Sequence, residues 1–184
     1  MQDPQSQRPP ADAAAGQARP ALDDDTLAFA RRVFQAARAG NAAELGPLLD
    51  QGFPANLRNE KGDSLLMLAS YHGQEDATRV LLEHGADPEL QNDAGQSPLM
   101  GAAFKGNLAI AKLLLEHGAQ PDGPGPDGKT PLRFAVMFNR VEIAQLLLDR
   151  GANPAALDSS GSPMIEVART MGAMDAVALL AGLK

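Results

Sequence analysis

The sequence has no cysteine, no tryptophan and a single tyrosine among its 184 residues. Without thiols there is neither a disulfide framework nor a thiolate metal site, so cysteine usage leaves the redox compartment open. Aromatic residues make up 4% of a chain that is 44% hydrophobic. The apolar material is therefore rich in Ala and Leu, which suits closely packed short helices and disfavours a sandwich or barrel, whose pleated faces draw on β-branched and aromatic side chains. Positive charge is scarce as well: 16 Lys and Arg against 23 Asp and Glu leave a net charge of −7. Nucleic acid and anionic membranes need a basic surface and are not expected as general partners. No run approaches the ~20 apolar residues of a membrane helix, and the first twenty residues lack the basic start and apolar stretch of a signal peptide. A soluble, cytoplasmic protein is expected.

What the chain does have is glycine at a fixed interval. Gly62, Gly95, Gly128 and Gly161 are each 33 residues apart, and Gly52, Gly85, Gly118 and Gly151 repeat the same step. A third series, Gly40, Gly73, Gly106 and Gly172, has Asn139 filling its gap. Three phase-locked series imply stacked supersecondary units, each able to bury its apolar face only against its neighbours.

Local chemistry defines the unit. Asn92-Asp93-Ala94-Gly95 is a turn that ends on a residue suited to positive φ. Ser97-Pro98-Leu99 and Thr130-Pro131-Leu132 place a hydroxyl N-cap before a proline at the first helical position, where its missing N–H costs nothing. Gly73 and Gly106 are suited to end that first helix. Val80-Leu81-Leu82 and Leu113-Leu114-Leu115 supply the apolar stripe of a second helix, which Gly85 and Gly118 stop.

The segments Ser97-Pro98-Leu99-Met100-Gly101-Ala102-Ala103 and Thr130-Pro131-Leu132-Arg133-Phe134-Ala135 resemble the ankyrin repeat, as do the endings Leu81-Leu82-Glu83-His84-Gly85-Ala86-Asp87 and Leu114-Leu115-Glu116-His117-Gly118-Ala119. The resemblance runs from about residue 24 to the end and implies an all-α solenoid of helix-turn-helix units with short β-turn or hairpin fingers, about five units with caps. An N-terminal capping unit is expected over 23–58, repeats over 59–91, 92–124 and 125–157, and a C-terminal cap over 158–184. The family's histidine after Thr-Pro-Leu is replaced here by Met67, Met100, Arg133 and Glu166, so its usual bond between neighbouring repeats has no obvious source.

Residues 1–22, rich in Pro and Ala, offer little to bury and are expected to be a disordered tail. Asp23, Asp24 and Asp25 should cap a helix with Arg31, Gln35 and Arg38 along one polar face. The connection from Pro121 to Gly128 is richer in Pro and Gly than its siblings and should be less hairpin-like. Near the C-terminus Val177, Leu179, Leu180 and Leu183 need cover, which a closing helix gives only in part.

Candidate chemistry is thin. His84 and His117 sit where the second helix ends, and reading them as partners of free carbonyls is simpler than reading a metal pair. Glu75-Asp76 and the aspartate run lie at helix starts, where the dipole accounts for them. No nucleophile elbow or phosphate loop is present. No cofactor, metal or enzymatic activity is expected.

The irregular positions inside regular units remain. Just before the third glycine series stand Tyr71-His72, Phe104-Lys105, Met137-Phe138 and Thr170-Met171. The resemblance implies that such pairs, with the finger tips, are contact positions on a concave face. Tyr71, Phe104 and Met137 should align as an apolar row extended by Met67 and Met100, with Arg133 at the equivalent place in the next unit. Around it Arg58, Glu60, Lys61, Gln91, Asp93, Gln96, Asp127 and Lys129 would form a mixed rim. The expected function is to bind a folded protein partner as an adaptor or regulatory scaffold, the chain being a monomer or weak dimer. The alternatives are a dedicated accessory or inhibitor of one bacterial enzyme and a structural homo-oligomer joined at the C-terminal end.

Overall fold

The structure is a computed structural model that describes residues 23–157 and 159–183; the side chain of Asp127 and the tail expected over residues 1–22 lie outside the described set. Among the described residues ten α-helices follow one another in pairs: α1 (Asp24–Ala39) with α2 (Ala42–Asp50), α3 (Leu65–Tyr71) with α4 (Glu75–Glu83), α5 (Pro98–Lys105) with α6 (Leu108–Glu116), α7 (Pro131–Met137) with α8 (Val141–Asp149), and α9 (Met164–Thr170) with α10 (Met174–Ala181). Odd-numbered helices pack in sequence against one another, even-numbered helices do the same, and each pair packs internally. The result is a two-layered stack in which every unit closes the core of the one before it.

Several helices start at a capping side chain visible in the sequence. Asp23 accepts from the backbone N–H of Thr26 at 2.7 Å, and that bond holds its carboxyl below the ordinary carboxylate value. Ser64, Ser97 and Thr130 cap α3, α5 and α7 in the same way, through Met67, Met100 and Arg133. Gly106 ends α5 at φ 82°, and Asn139 holds the matching place after α7 at φ 53°, the lone non-glycine with positive φ among the described residues. Asn tolerates that conformation better than other non-glycine residues.

Buried Leu65, Leu66, Leu99, Leu132 and Leu114 form the centre of one continuous core, and alanines such as Ala69, Ala102 and Ala135 let the inner helices approach closely. The fingers carry turns and one isolated bridge, Arg58 to Ser64, with no sheet among the described residues. Asn59 and Asn92 organise the first two tips, each side-chain oxygen accepting two backbone N–H groups. At the third tip Gly125 takes the place of that Asn, and Pro126–Gly128 form a single 3-10 turn. The same backbone bonds nevertheless close it, Gly125 N–H to the Lys129 carbonyl at 2.9 Å and Gly128 N–H to the Gly125 carbonyl at 3.1 Å, as in the first two tips. The proline-rich connection is therefore no less hairpin-like than its siblings, and that expectation is corrected.

Side chains spaced 33 residues apart tie the units together. Asn56, Glu89 and Asp122 each accept from a backbone N–H of the following unit, on Asp87, Gln120 and Asn153 respectively. These bonds supply inter-repeat links in a chain that lacks the histidine after Thr-Pro-Leu. His84 adds another: its Nδ1 lies 2.7 Å from the Val80 carbonyl and its Nε2 3.0 Å from the Asp50 carboxylate of the preceding unit. His117 reaches the Leu113 carbonyl at 2.9 Å, so both histidines act on helix C-termini. The bond to Asp50, with the Val80 carbonyl, raises His84 above its ordinary value of 6.5. A group raised on folding stabilises fully below its unfolded value and ceases to do so as pH climbs through the raised one. The denaturation midpoint is therefore expected to fall between pH 6 and pH 8, and Asp50→Asn should flatten that fall; an unchanged slope would detach the effect from this pair.

Candidate functional site

The inner helices and the finger tips enclose an elongated groove of about 1270 Å³. Its centre is aromatic. Tyr71 and Phe104 lie parallel, with ring centroids 6.4 Å apart, and Phe138 meets Phe104 edge-on at 4.7 Å. Lys105 places its ammonium 5.0 Å from the Tyr71 ring centroid, a cation–π contact at the edge of the row. Gly101 on α5 keeps the wall low between Tyr71 and Phe104: a Cβ there would stand 3.4 Å from the tyrosine ring. Tyr71 is 38% exposed, while Phe104, Met137 and Phe138 are half-buried, and all four line the groove.

The structure sorts the expected contact residues. Tyr71, His72, Phe104, Met137, Phe138, Arg58, Lys61, Gln96 and Lys129 line the groove. Lys105 lines a shallower hollow beside it with Tyr71, His72 and Gly106. Met67 and Met100 are corrected from surface anchors to floor: they are 4% and 2% exposed, packed between inner helices whose small residues leave room for a flexible thioether. Arg133 is buried too, at 2% exposure, and its Nη1 donates to the Ser162 carbonyl at 3.1 Å instead of facing a partner. Met171 is exposed but lies outside the groove lining, as does Asp93, which pairs with Arg58 at 3.1 Å. Gly62 makes that pair possible: at φ 74° it holds the turn, and a Cβ there would collide with both partners.

Residues that the repeat pattern did not single out also contribute. Leu27, Ala30, Arg31 and Arg38 of α1 line the first layer of the groove, so the polar face assigned to capping is also part of the concave wall. The signal was present in the spacing of Arg31 and Arg38, which are seven residues apart and share a helix face. Phe138 extends the aromatic row more directly than Met137, because α7 ends at Met137 and the next residue, its C-cap, swings onto Phe104. Further apolar residues, Met171, Met174 and Leu183 of the last layer and Leu157 just ahead of it, are exposed and lie outside the groove lining.

Among the described residues no cluster of His, Asp and Glu is arranged to hold a metal ion, and no helix is long and apolar enough to cross a membrane. A two-layered stack of helix pairs, with glycine-ended helices and turn-bearing fingers around one groove, defines a helical repeat solenoid. Residues 33–124 and 85–158 match the family model for ankyrin repeats in three copies, and the chain belongs to the ankyrin-repeat family. Members of that family generally serve as protein–protein interaction modules and are generally not enzymes. The chain is also 58% identical over 62 residues to an ankyrin repeat protein of Pseudomonas aeruginosa, a match covering 34% of this chain and 36% of the relative. It thus spans about a third of that relative's own length.

Proposed function

We propose that this chain binds a protein partner across its inner groove, in an adaptor or regulatory role. The observation that carries the reading is the row of Tyr71, Phe104 and Phe138, which runs over three successive units and lines the groove. Partly exposed aromatic side chains held by their neighbours are typical interface anchors, because they add contact area while losing little rotamer freedom. A row of this kind on preformed repeats also limits the conformational entropy lost on association. In this reading the chain works in the cytoplasm as a monomer, without a cofactor and without chemistry of its own.

The test is affinity capture from native cytosol with the wild-type chain and with a Tyr71→Ala, Phe104→Ala, Phe138→Ala variant shown by circular dichroism to be folded. The partner captured by wild type is expected to bind the variant about a hundredfold more weakly or worse, since central anchors commonly contribute about 2 kcal/mol or more each. Equal capture by both proteins would remove the aromatic row from the interface.

A further inference from the structure

We infer that the groove receives an acidic segment of its partner, with carboxylates toward α1 and apolar anchors toward α7. The inference rests on the protein-binding reading above and adds the chemistry of what is bound. The chain carries a net charge of −7, yet among the described residues five Arg and Lys side chains line the groove against two carboxylates, Glu60 and Asp63. The acidic excess therefore lies elsewhere on the molecule, and the groove has the opposite sign to its surroundings.

The individual partners sharpen this. Asp63 is engaged by the amides of Asn59 and Asn92, at 3.2 and 2.9 Å. Arg58 is spent on the Gly62 and Gln91 carbonyls and on Asp93. Arg31 and Arg38 line the groove from α1, and neither has an ion-pair partner among the described residues. Lys61, at the first finger tip, likewise shows no ion pair there. Cations held in a concave wall of low dielectric focus their field into the opening and favour an anionic occupant.

The groove is also graded along its length. The unpaired arginines belong to the first layer, and Tyr71, Phe104 and Phe138 to the next three inner positions. With neighbouring helices about 10 Å apart, the distance from α1 to α7 is about 30 Å, the reach of about nine extended residues. A segment with its carboxylates displaced by several residues from its aromatic or aliphatic side chains matches both ends at once. A uniformly charged polyanion matches only one.

Fluorescence anisotropy with the full chain tests this. The probes are a labelled peptide with a Glu-rich half and a Leu- and Phe-bearing half, synthesised in both chain orders, its Glu→Gln counterpart, and a single-stranded oligonucleotide of matching length. One order of the acidic peptide is expected to bind about tenfold more tightly than its Gln counterpart, and to weaken as salt is raised. An Arg31→Glu, Arg38→Glu variant, whose changes lie outside the core, should lose that tenfold advantage and bind the Gln peptide as wild type does. Equal affinity for the acidic and Gln peptides overturns the inference, and so does tighter binding of the oligonucleotide. A self-associated chain that the double reversal returns to monomer in sedimentation also overturns it, by placing a second copy in the groove. If neither peptide binds while capture of the cytosolic partner still depends on Tyr71 and Phe104, the acidic segment is excluded and the protein-binding reading stands.

Discussion

Leu99→Ala is expected to lower the unfolding free energy by about 3–5 kcal/mol, a large part of the 5–15 kcal/mol typical of a folded domain. Leu99 is fully buried near the start of α5, the inner helix that packs against α3 on one side and α7 on the other while meeting its own α6. Truncation there removes apolar contacts from both flanking interfaces and leaves a cavity that rigid helix stacking cannot collapse. Because each unit touches only its neighbours, the damage should also uncouple the two halves of the stack. Chemical denaturation followed by circular dichroism should show a lower midpoint and a broader transition. Leu157→Ala is the control: at 57% exposure it should stay within about 0.5 kcal/mol of wild type. A loss below about 1 kcal/mol for Leu99→Ala would mean that α5 does not close both interfaces at once.

The architecture was legible because its punctuation is local. Three glycine series and the Ser-Pro or Thr-Pro pairs mark where backbone must turn or start a helix, and those demands hold whatever surrounds them. Asn139 was legible for the same reason: a residue in the gap of a glycine series has to accept positive φ, and Asn does. The third finger was misread from its prolines, because its backbone closes with the same bonds as its siblings. What depends on the neighbouring unit was harder to read. Met67, Met100 and Arg133 recur at a spacing that puts them on the inner helix, but how deep such a residue sits is fixed by its neighbours, and all three are buried, the two methionines as the floor of the groove. The ties from Asn56, Glu89 and Asp122 to the next unit's backbone belong to the same class, since a 33-residue spacing of unlike polar residues carries no signature until the units are stacked.

The candidate site followed the same division. Tyr71 and Phe104 were foreseen and are joined as expected, because both stand at the end of an inner helix of equal register. Phe138 proved the better continuation than Met137, and the arginines of α1 joined the wall, because the groove is a property of the stack. Net charge, which counted against anionic partners for the chain as a whole, averages over a molecule whose inner face has the other sign. Composition speaks for the whole surface and geometry for its parts.

Arg133 provides the second large effect, and it separates packing from binding. The side chain is buried in α7 and reaches into the last unit, donating from Nη1 to the Ser162 carbonyl just ahead of α9. Arg133→Ala is expected to cost about 3 kcal/mol or more, the sum of a lost charge-assisted hydrogen bond and an emptied side-chain volume. Sister units carry Met67 and Met100 at the same position, so that volume is one a methionine fills in this fold. Arg133→Met should therefore keep the packed volume, lose the polar contacts of the guanidinium and cost about 1.5–3 kcal/mol. Hydrogen exchange should localise the loss in both variants to α9 and α10, whose docking the Ser162 bond supports. Equal costs for Ala and Met would show that the stem does not pack, and unchanged protection in α9 and α10 would show that the bond does not hold the last unit. Since Arg133 is turned away from solvent, partner affinity per folded molecule should be the same for Arg133→Met as for wild type. A weaker complex would return this residue to the interface where the repeat pattern first put it.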